Sequence, residues 1–411
     1  MKIRSITYFC HPCQPLDEAV LRQAGQFLAA ARPAFQSAGY AVQTTRLATT
    51  PFPELLPAPG ALTELAVQVE QLCAALGIDY VSLGPAFPHQ LDFYDAIPAA
   101  LVATQNAFFS GSLTSTDGRI SLPAVRACAK VVHQAAPLSP DGFANLRFAS
   151  LANVAPGSPF FPAAYHQPEV LGRSSHPAFA IATEAAGLAV QVFQQAATLA
   201  EVQNGLAAVI EQHAQALEAT AAGLTRQFGT AFGGLDFSLA PFPQVELSLG
   251  AAMEVLGVPA LGLHGSLAAA AILADAIDRA HFTRTGFSGL MLPVLEDAVL
   301  AQRAAEGTLG VKDMLLYSAV CGTGLDTLPL PGAASPEQLS ALLVDVAALA
   351  VRLGKPLTAR LMPIPGKAAG DPTGFDFAFF ANSRVLSLQA EALQGLLAGD
   401  DQFSLYPRKT K

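Results

Sequence analysis

Lys2 to Thr50 reads KIRSITYFCHPCQPLDEAVLRQAGQFLAAARPAFQSAGYAVQTTRLATT, and its pattern decides the fold class. Ile3 to Phe9 is a short apolar run that predicts a strand. Asp17 to Phe35 sets Leu21, Ala24, Phe27, Leu28 and Ala31 on one face at helical spacing, and Tyr40 to Leu47 predicts a second strand. Strand, helix and strand in that order argue for a parallel pair joined by a crossover helix.

The same rhythm continues outward. A helix is expected from Leu62 to Leu76, closed by Gly77, then a strand at Tyr80 to Leu83, helices at Ile97 to Ala107 and Leu122 to Gln134, and a strand at Leu146 to Val154. Phe179 to Phe228 is Ala-rich and lacks proline, so it reads as two long helices, the second starting near Leu199. This stretch, 179–228, is taken as a helical insertion whose faces pack on the body or pair two copies into a homodimer. Beyond it come strands at Asp236 to Leu239 and Ala260 to Leu263, with helices at Val245 to Leu256, Ser266 to Ala280, Leu295 to Glu306 and Lys312 to Ala319. A helix at Pro336 to Leu353, strands at Leu357 to Met362 and Phe375 to Phe380, and a last helix near Gln389 to Leu397 close the chain. The expected fold class is α/β: a largely parallel sheet or barrel with outer helices, in one continuous domain, 1–411.

Composition excludes several functions. Of the 411 residues 52% are apolar and 13% charged, so the chain buries a large core and is not disordered. Lys plus Arg number 23 against 32 Asp plus Glu, a net charge of −9 with no basic cluster, so nucleic acid is not an expected partner. Val255 to Ala274 is long enough to span a membrane, but Pro259, Gly262, His264 and Gly265 interrupt it, so no membrane association is expected. Five cysteines and the lack of a signal-peptide pattern fit a reducing, cytoplasmic setting.

Three loops carry candidate chemistry. Cys10-His11-Pro12-Cys13 joins a strand to a helix, where the helix dipole favours a thiolate; this spacing suits thiol–disulfide exchange, or equally two buried small residues. It supplies only two of the four ligands of a closed zinc site, and no residue is assigned to a metal. Gly262-Leu263-His264-Gly265-Ser266 precedes a helix: Gly265 and Ser266 would present N–H groups to an anion, and His264 would move a proton. Ala319 to Asp326 is read as a tight loop in which Cys321 is either an exposed nucleophile or a buried small residue at a turn, with Asp326 orienting a base, capping a helix or binding a cation. Glu296-Asp297 is explained by the first turn of a helix, whereas Ser238, His166, Arg360 and Lys367 are candidate ligand-binding groups. No P-loop, dinucleotide fingerprint or His-Glu-x-x-His occurs, and no cofactor is assigned.

Several segments together resemble one family: Asp236-Phe237-Ser238-Leu239-Ala240-Pro241, His264-Gly265-Ser266 with Leu273-Ala274-Asp275, Gly286-Phe287-Ser288-Gly289-Leu290, Val320-Cys321-Gly322-Thr323-Gly324-Leu325-Asp326, Arg360-Leu361-Met362-Pro363 and Gly366-Lys367. The chain is similar to the uncharacterised proteins grouped as domain of unknown function 711. The resemblance implies a fold like that of pyruvate formate-lyase-type glycyl radical enzymes, an α/β barrel of two half-sheets with helices outside. Asn382-Ser383-Arg384-Val385-Leu386 has no glycine after Arg-Val, so radical chemistry is not implied with the fold.

The expected function is an enzyme acting on a small polar or anionic metabolite in the barrel, with His264, Cys321 and Asp326 converging on it. A non-catalytic metabolite sensor using the same pocket is the rival, and thiol exchange at Cys10 and Cys13 the third reading.

Overall fold

The structure is a computed structural model describing residues 1–13, 15–167 and 176–407. The first part of the chain alternates strands and helices: β1 (Lys2–Cys10), α1 (Glu18–Ser37), β2 (Val42–Thr49), α2 (Leu62–Ala75), β3 (Tyr80–Ala86), α3 (Ile97–Ala103), β4 (Ala107–Ser112), β5 (Ile120–Ser121), α4 (Leu122–Ala135) and β6 (Phe148–Ala152). Then follow β7 (Ala178–Glu184), α5 (Ala186–Gln195), α6 (Leu199–Phe228), β8 (Ala231–Asp236) and four helices, α7 (Leu249–Val255), α8 (Ser266–Arg279), α9 (Ala298–Glu306) and α10 (Val311–Tyr317). The last elements are β9 (Gly324–Pro331), α11 (Pro336–Leu353), β10 (Leu357–Ile364) and β11 (Gln402–Phe403).

Nine strands form one sheet in the order β8-β7-β1-β2-β3-β4-β6-β10-β9, flanked by helices; β5 and β11 make a separate two-stranded ribbon. Neighbours are parallel except at β1/β7 and β6/β10. A central parallel block, β1-β2-β3-β4-β6, is therefore flanked by two parallel pairs, β8-β7 and β10-β9, that run the opposite way. The segment after α8 makes single parallel bridges at Arg284 to Leu235, at Leu290 to Leu239 and at Pro293 to Asp326, so it touches both end strands.

Local rules explain the elements that were read correctly. Asp17 accepts from Ala19 N–H at 2.8 Å and starts α1, whose buried face carries the predicted Leu21, Ala24, Phe27, Leu28 and Ala31. α11 begins with a capping box of Ser335 and Gln338, has Pro336 in its first turn and stops at Gly354 in a left-handed conformation. The side chains alternate across the sheet. Ile6, Tyr8 and Cys10 of β1 join the large apolar cluster under the helices, whereas Phe9 joins Ala48, Phe108 and Phe161 in a smaller cluster on the opposite face.

Other expectations need correction. The stretch 179–228 is not all helix, because its start is strand β7, whose Ala-Phe-Ala-Ile-Ala run also suits helix until sheet pairing decides. α6 buries Val202, Leu206, Ile210, Leu217 and Leu224 in the protein's own core, where it packs on α8 and β8. Ala260 to Leu263 is a turn, Phe375 to Phe380 is irregular, and near Gln389 to Leu397 there is only a short 3₁₀ turn at Gly395–Ala398. Gly324 to Asp326, read as loop, begins strand β9, and β4 was not foreseen. No helix among the described residues is long and apolar enough to cross a membrane.

Candidate functional site

The face of the sheet opposite the large core carries charge. Arg4 from β1, Arg46 from β2, Arg360 from β10, Asp236 from β8 and Glu296 from the turn before α9 line a cavity of about 100 Å³. Tyr80, Phe108, Phe160 and Phe161 form its apolar wall, and the half-buried Phe377 and Phe379 stand at its edge.

One of the arginines owes its position to a bulge. In β1, pairing with β7 slips between Ile3 and Ser5, leaving Arg4 as the extra residue; where β10 pairs with β9 the extra residue is on β9, so that Asp326 and Thr327 both stand opposite Arg360. A bulge re-aims a side chain without moving the rest of the strand, so a charge can enter a face whose neighbours are apolar. Opposite Arg360, Thr327 has a positive φ of 42°, which marks the same irregularity on β9.

The charges are paired in a chain. Arg4 donates to Glu296 Oε2, Arg360 Nη2 donates to Glu296 Oε1 at 2.9 Å, and Arg360 Nε donates to Asp326 Oδ1 at 2.6 Å. Burial works against the charge of Glu296, but Arg4 and Arg360 together outweigh it and hold its carboxyl below the usual value. For Asp326 burial wins over the attraction of Arg360, and Glu296 adds repulsion, so its pKa is raised. Its Oδ2 is buried with no hydrogen-bond partner among the described residues.

Arg46 is different. Its Nε donates to Thr44 Oγ1 at 2.8 Å, and its guanidinium lies 5.0 Å from the Phe161 ring centre and 5.7 Å from that of Tyr80. Its terminal nitrogens have no hydrogen-bond partner among the described residues. Burial, together with Arg4 and Arg360, pushes its pKa down to about 9. Arginine stays protonated at neutral pH, so this marks a cation short of counter-charge.

Asp236 has a local task as well. Its Oδ1 accepts from Ser238 Oγ at 2.5 Å and Ser288 N–H at 2.9 Å, and its Oδ2 from Phe287 N–H at 3.0 Å, which fixes the 286–289 turn against the cavity. Burial nevertheless raises its pKa.

Of the residues singled out in the sequence, Ser238 and Arg360 line the cavity and Asp326 is bonded to Arg360. His264 is not there: it is exposed on the turn before α8, beside the exposed Gly265, and Ser266 Oγ is bonded locally to Leu263 O at 2.7 Å. Cys321 is not an exposed nucleophile but packs in the large apolar cluster under the helices. The main chain of His166 donates to Thr49 O at 2.8 Å and its ring lies by Phe9; Lys367 is on the turn after β10, and neither lines the cavity. Cys10 is buried and its thiol is pushed above the usual range by burial, with the nearby Cys73 and Cys13 adding to the shift, the opposite of an activated thiolate.

The adjacent acids Glu296 and Asp297 divide two tasks. Asp297 caps α9, accepting from Val299 and Leu300 N–H at 2.9 and 3.0 Å, as the helix-end reading requires. Glu296 points into the cavity instead. Arg4 and Arg46 escaped the sequence reading because single arginines in apolar strands look like edge residues; an arginine two positions after a strand start, on a face otherwise buried, was the available signal. Among the described residues no group of three or more His, Cys, Asp or Glu side chains is arranged to hold a metal.

The family model described as "Uncharacterised ACR (DUF711)" matches residues 1–381. A UPF0210 protein of Pyrobaculum arsenaticum is 33% identical over 351 residues, covering 81% of this chain and 76% of its own. A UPF0210 protein of Methanosarcina acetivorans is 29% identical over 327 residues, covering 76% of this chain and 69% of its own. One from Pelotomaculum thermopropionicum is 27% identical over 384 residues, 88% of this chain and 83% of its own. With the family model matched over residues 1–381 and a relative 33% identical over 81% of this chain, the chain belongs to the DUF711 family.

Proposed function

We propose that the protein binds a small anionic metabolite in the cavity on the charged face of its sheet, with Arg46 as the anchor. The observation that carries this reading is that Arg46 has no ion-pair partner among the described residues, whereas Arg4 and Arg360 are already paired with Glu296 and Asp326. A buried cation without a partner is costly, and an anionic ligand removes that cost.

The same reading has the sheet close into a barrel of two antiparallel half-sheets, as in pyruvate formate-lyase-type enzymes, with the cavity inside. The bridges from Arg284, Leu290 and Pro293 to the two end strands support closure. Binding is preferred to turnover as the primary role because Asp326, the acid with a free buried oxygen, does not line the cavity, and His264 and Cys321 are elsewhere. Native mass spectrometry of the purified protein tests this: a retained small anion, lost in Arg46→Met, is expected. Retention of a neutral or cationic molecule instead would overturn the reading, and product formation from a metabolite panel would restore an enzymatic role.

A further inference from the structure

We propose that the cavity takes a monocarboxylate carried on a flat aromatic body, held by a two-pronged bond from Arg46; this rests on the anion-binding reading and narrows it to a ligand class. The hydrogen bonds already made limit the choice. Thr44 Oγ1 is bonded to Arg4 O and to Arg46 Nε, Ser238 Oγ donates to Asp236, and Thr183 Oγ1 donates to Ser238 O. Arg4 and Arg360 share the two oxygens of Glu296. Of the three arginines, Arg46 alone has no carboxylate partner among the described residues, and its outer fork presents two nitrogens whose geometry matches the two oxygens of one carboxylate. A phosphate monoester would bring up to two charges beside the carboxylates of Glu296 and Asp236, against one arginine that lacks a carboxylate partner.

The body of the ligand is set by the aromatic wall on which the Arg46 guanidinium rests. Tyr80, Phe108 and Phe161 form a continuous aromatic surface, with ring centres 5.4 Å apart between Tyr80 and Phe108 and between Phe108 and Phe161; Phe160 lies beside them, under the guanidinium of Arg360 at 5.6 Å. Phe377 and Phe379, 5.3 Å apart, stand at the rim. Aromatic walls favour a ring, which packs edge-to-face or offset against them, over a puckered or flexible chain of equal size. Because the guanidinium of Arg46 itself lies over Phe161 and Tyr80, a carboxylate held by its fork would leave the attached ring beside those same side chains.

The test is calorimetric titration and thermal shift with benzoate, benzamide, cyclohexanecarboxylate, phenyl phosphate and inorganic phosphate. Benzoate is expected to bind at least about tenfold tighter than benzamide, as the loss of a charge-assisted bond requires. It should also bind about two- to tenfold tighter than cyclohexanecarboxylate. Arg46→Met should weaken benzoate at least about tenfold, Arg46→Lys less, and the surface control Arg22→Met not at all. Arg46→Lys keeps the test readable should the methionine variant fold poorly. Equal binding of cyclohexanecarboxylate removes the aromatic requirement. Phosphate or phenyl phosphate binding through Arg46 without benzoate refutes the carboxylate class but leaves the anion reading intact. If no anion binds, or if binding ignores both Arg46 variants, both proposals fall.

Discussion

The two ends of strand β1 invite comparison. Its last residue opens Cys10-His11-Pro12-Cys13, the most conspicuous motif in the sequence, yet Cys10 is buried in the apolar core and Cys13 forms no disulfide with it. Near its start stands Arg4, a residue without any motif, and that end enters a network of two arginines and two carboxylates, Arg4, Arg360, Glu296 and Asp326. Spacing along the chain advertised the inert end. Convergence of strands from the central block and a flanking pair created the polar one, and no local pattern encodes that.

The largest effect should come from breaking the paired end. Glu296→Ala leaves Arg4 and Arg360 buried without their shared carboxylate and is expected to cost about 3–5 kcal/mol in urea unfolding. Cys10→Ala removes one sulfur from the core and should cost only about 1 kcal/mol. Equal costs would mean that the ion network contributes no more than packing does.

The pH response sharpens the contrast. Because the folded-state value of Glu296 lies below its usual 4.5, the stability it contributes is complete above that pH and is lost as pH falls through the lower folded value. Glu296→Gln should flatten this acid limb, measured as unfolding free energy against pH. Asp326, whose value is raised, has the opposite sign: it favours the folded state below its unfolded value and that advantage fades as pH rises through the folded one. Asp326→Asn should therefore remove a penalty at neutral pH while the limb of Glu296 remains.

At the other end, labelling with a thiol reagent at pH 8 should modify Cys13 well before Cys10, whose thiol burial keeps protonated. Rapid modification of Cys10, or a Cys10–Cys13 disulfide under mild oxidant, would return the redox reading. The smallest effect is expected from His264→Ala, an exposed substitution within about 0.5 kcal/mol of the parent and without influence on benzoate binding.

How much was legible follows from which forces act locally. Helices with caps and one apolar face, such as α1 and α11, were readable because Asp17, Ser335, Pro336 and Gly354 state their ends in the sequence. β7 was hidden, since an Ala-rich run suits helix until pairing with β1 and β8 decides it. Asp326 and Arg360 were named, one as a catalytic group and the other as a ligand, but their bond to each other depends on a register shift between β9 and β10. Arg46 lies on a strand whose register is regular, and only the lack of a carboxylate partner among the described residues distinguishes it.

The origin of the charges along the chain has a further consequence. Arg4 and Arg46 come from the first part of the chain, whereas Asp236, Glu296, Asp326 and the single further arginine, Arg360, all follow residue 178. One half of the polypeptide thus brings uncompensated positive groups and the other half most of the negative ones. During assembly this asymmetry works as a registration mark: any misaligned docking of the halves would trap unmatched ions away from water, so the correct alignment is selected by the penalty attached to every other.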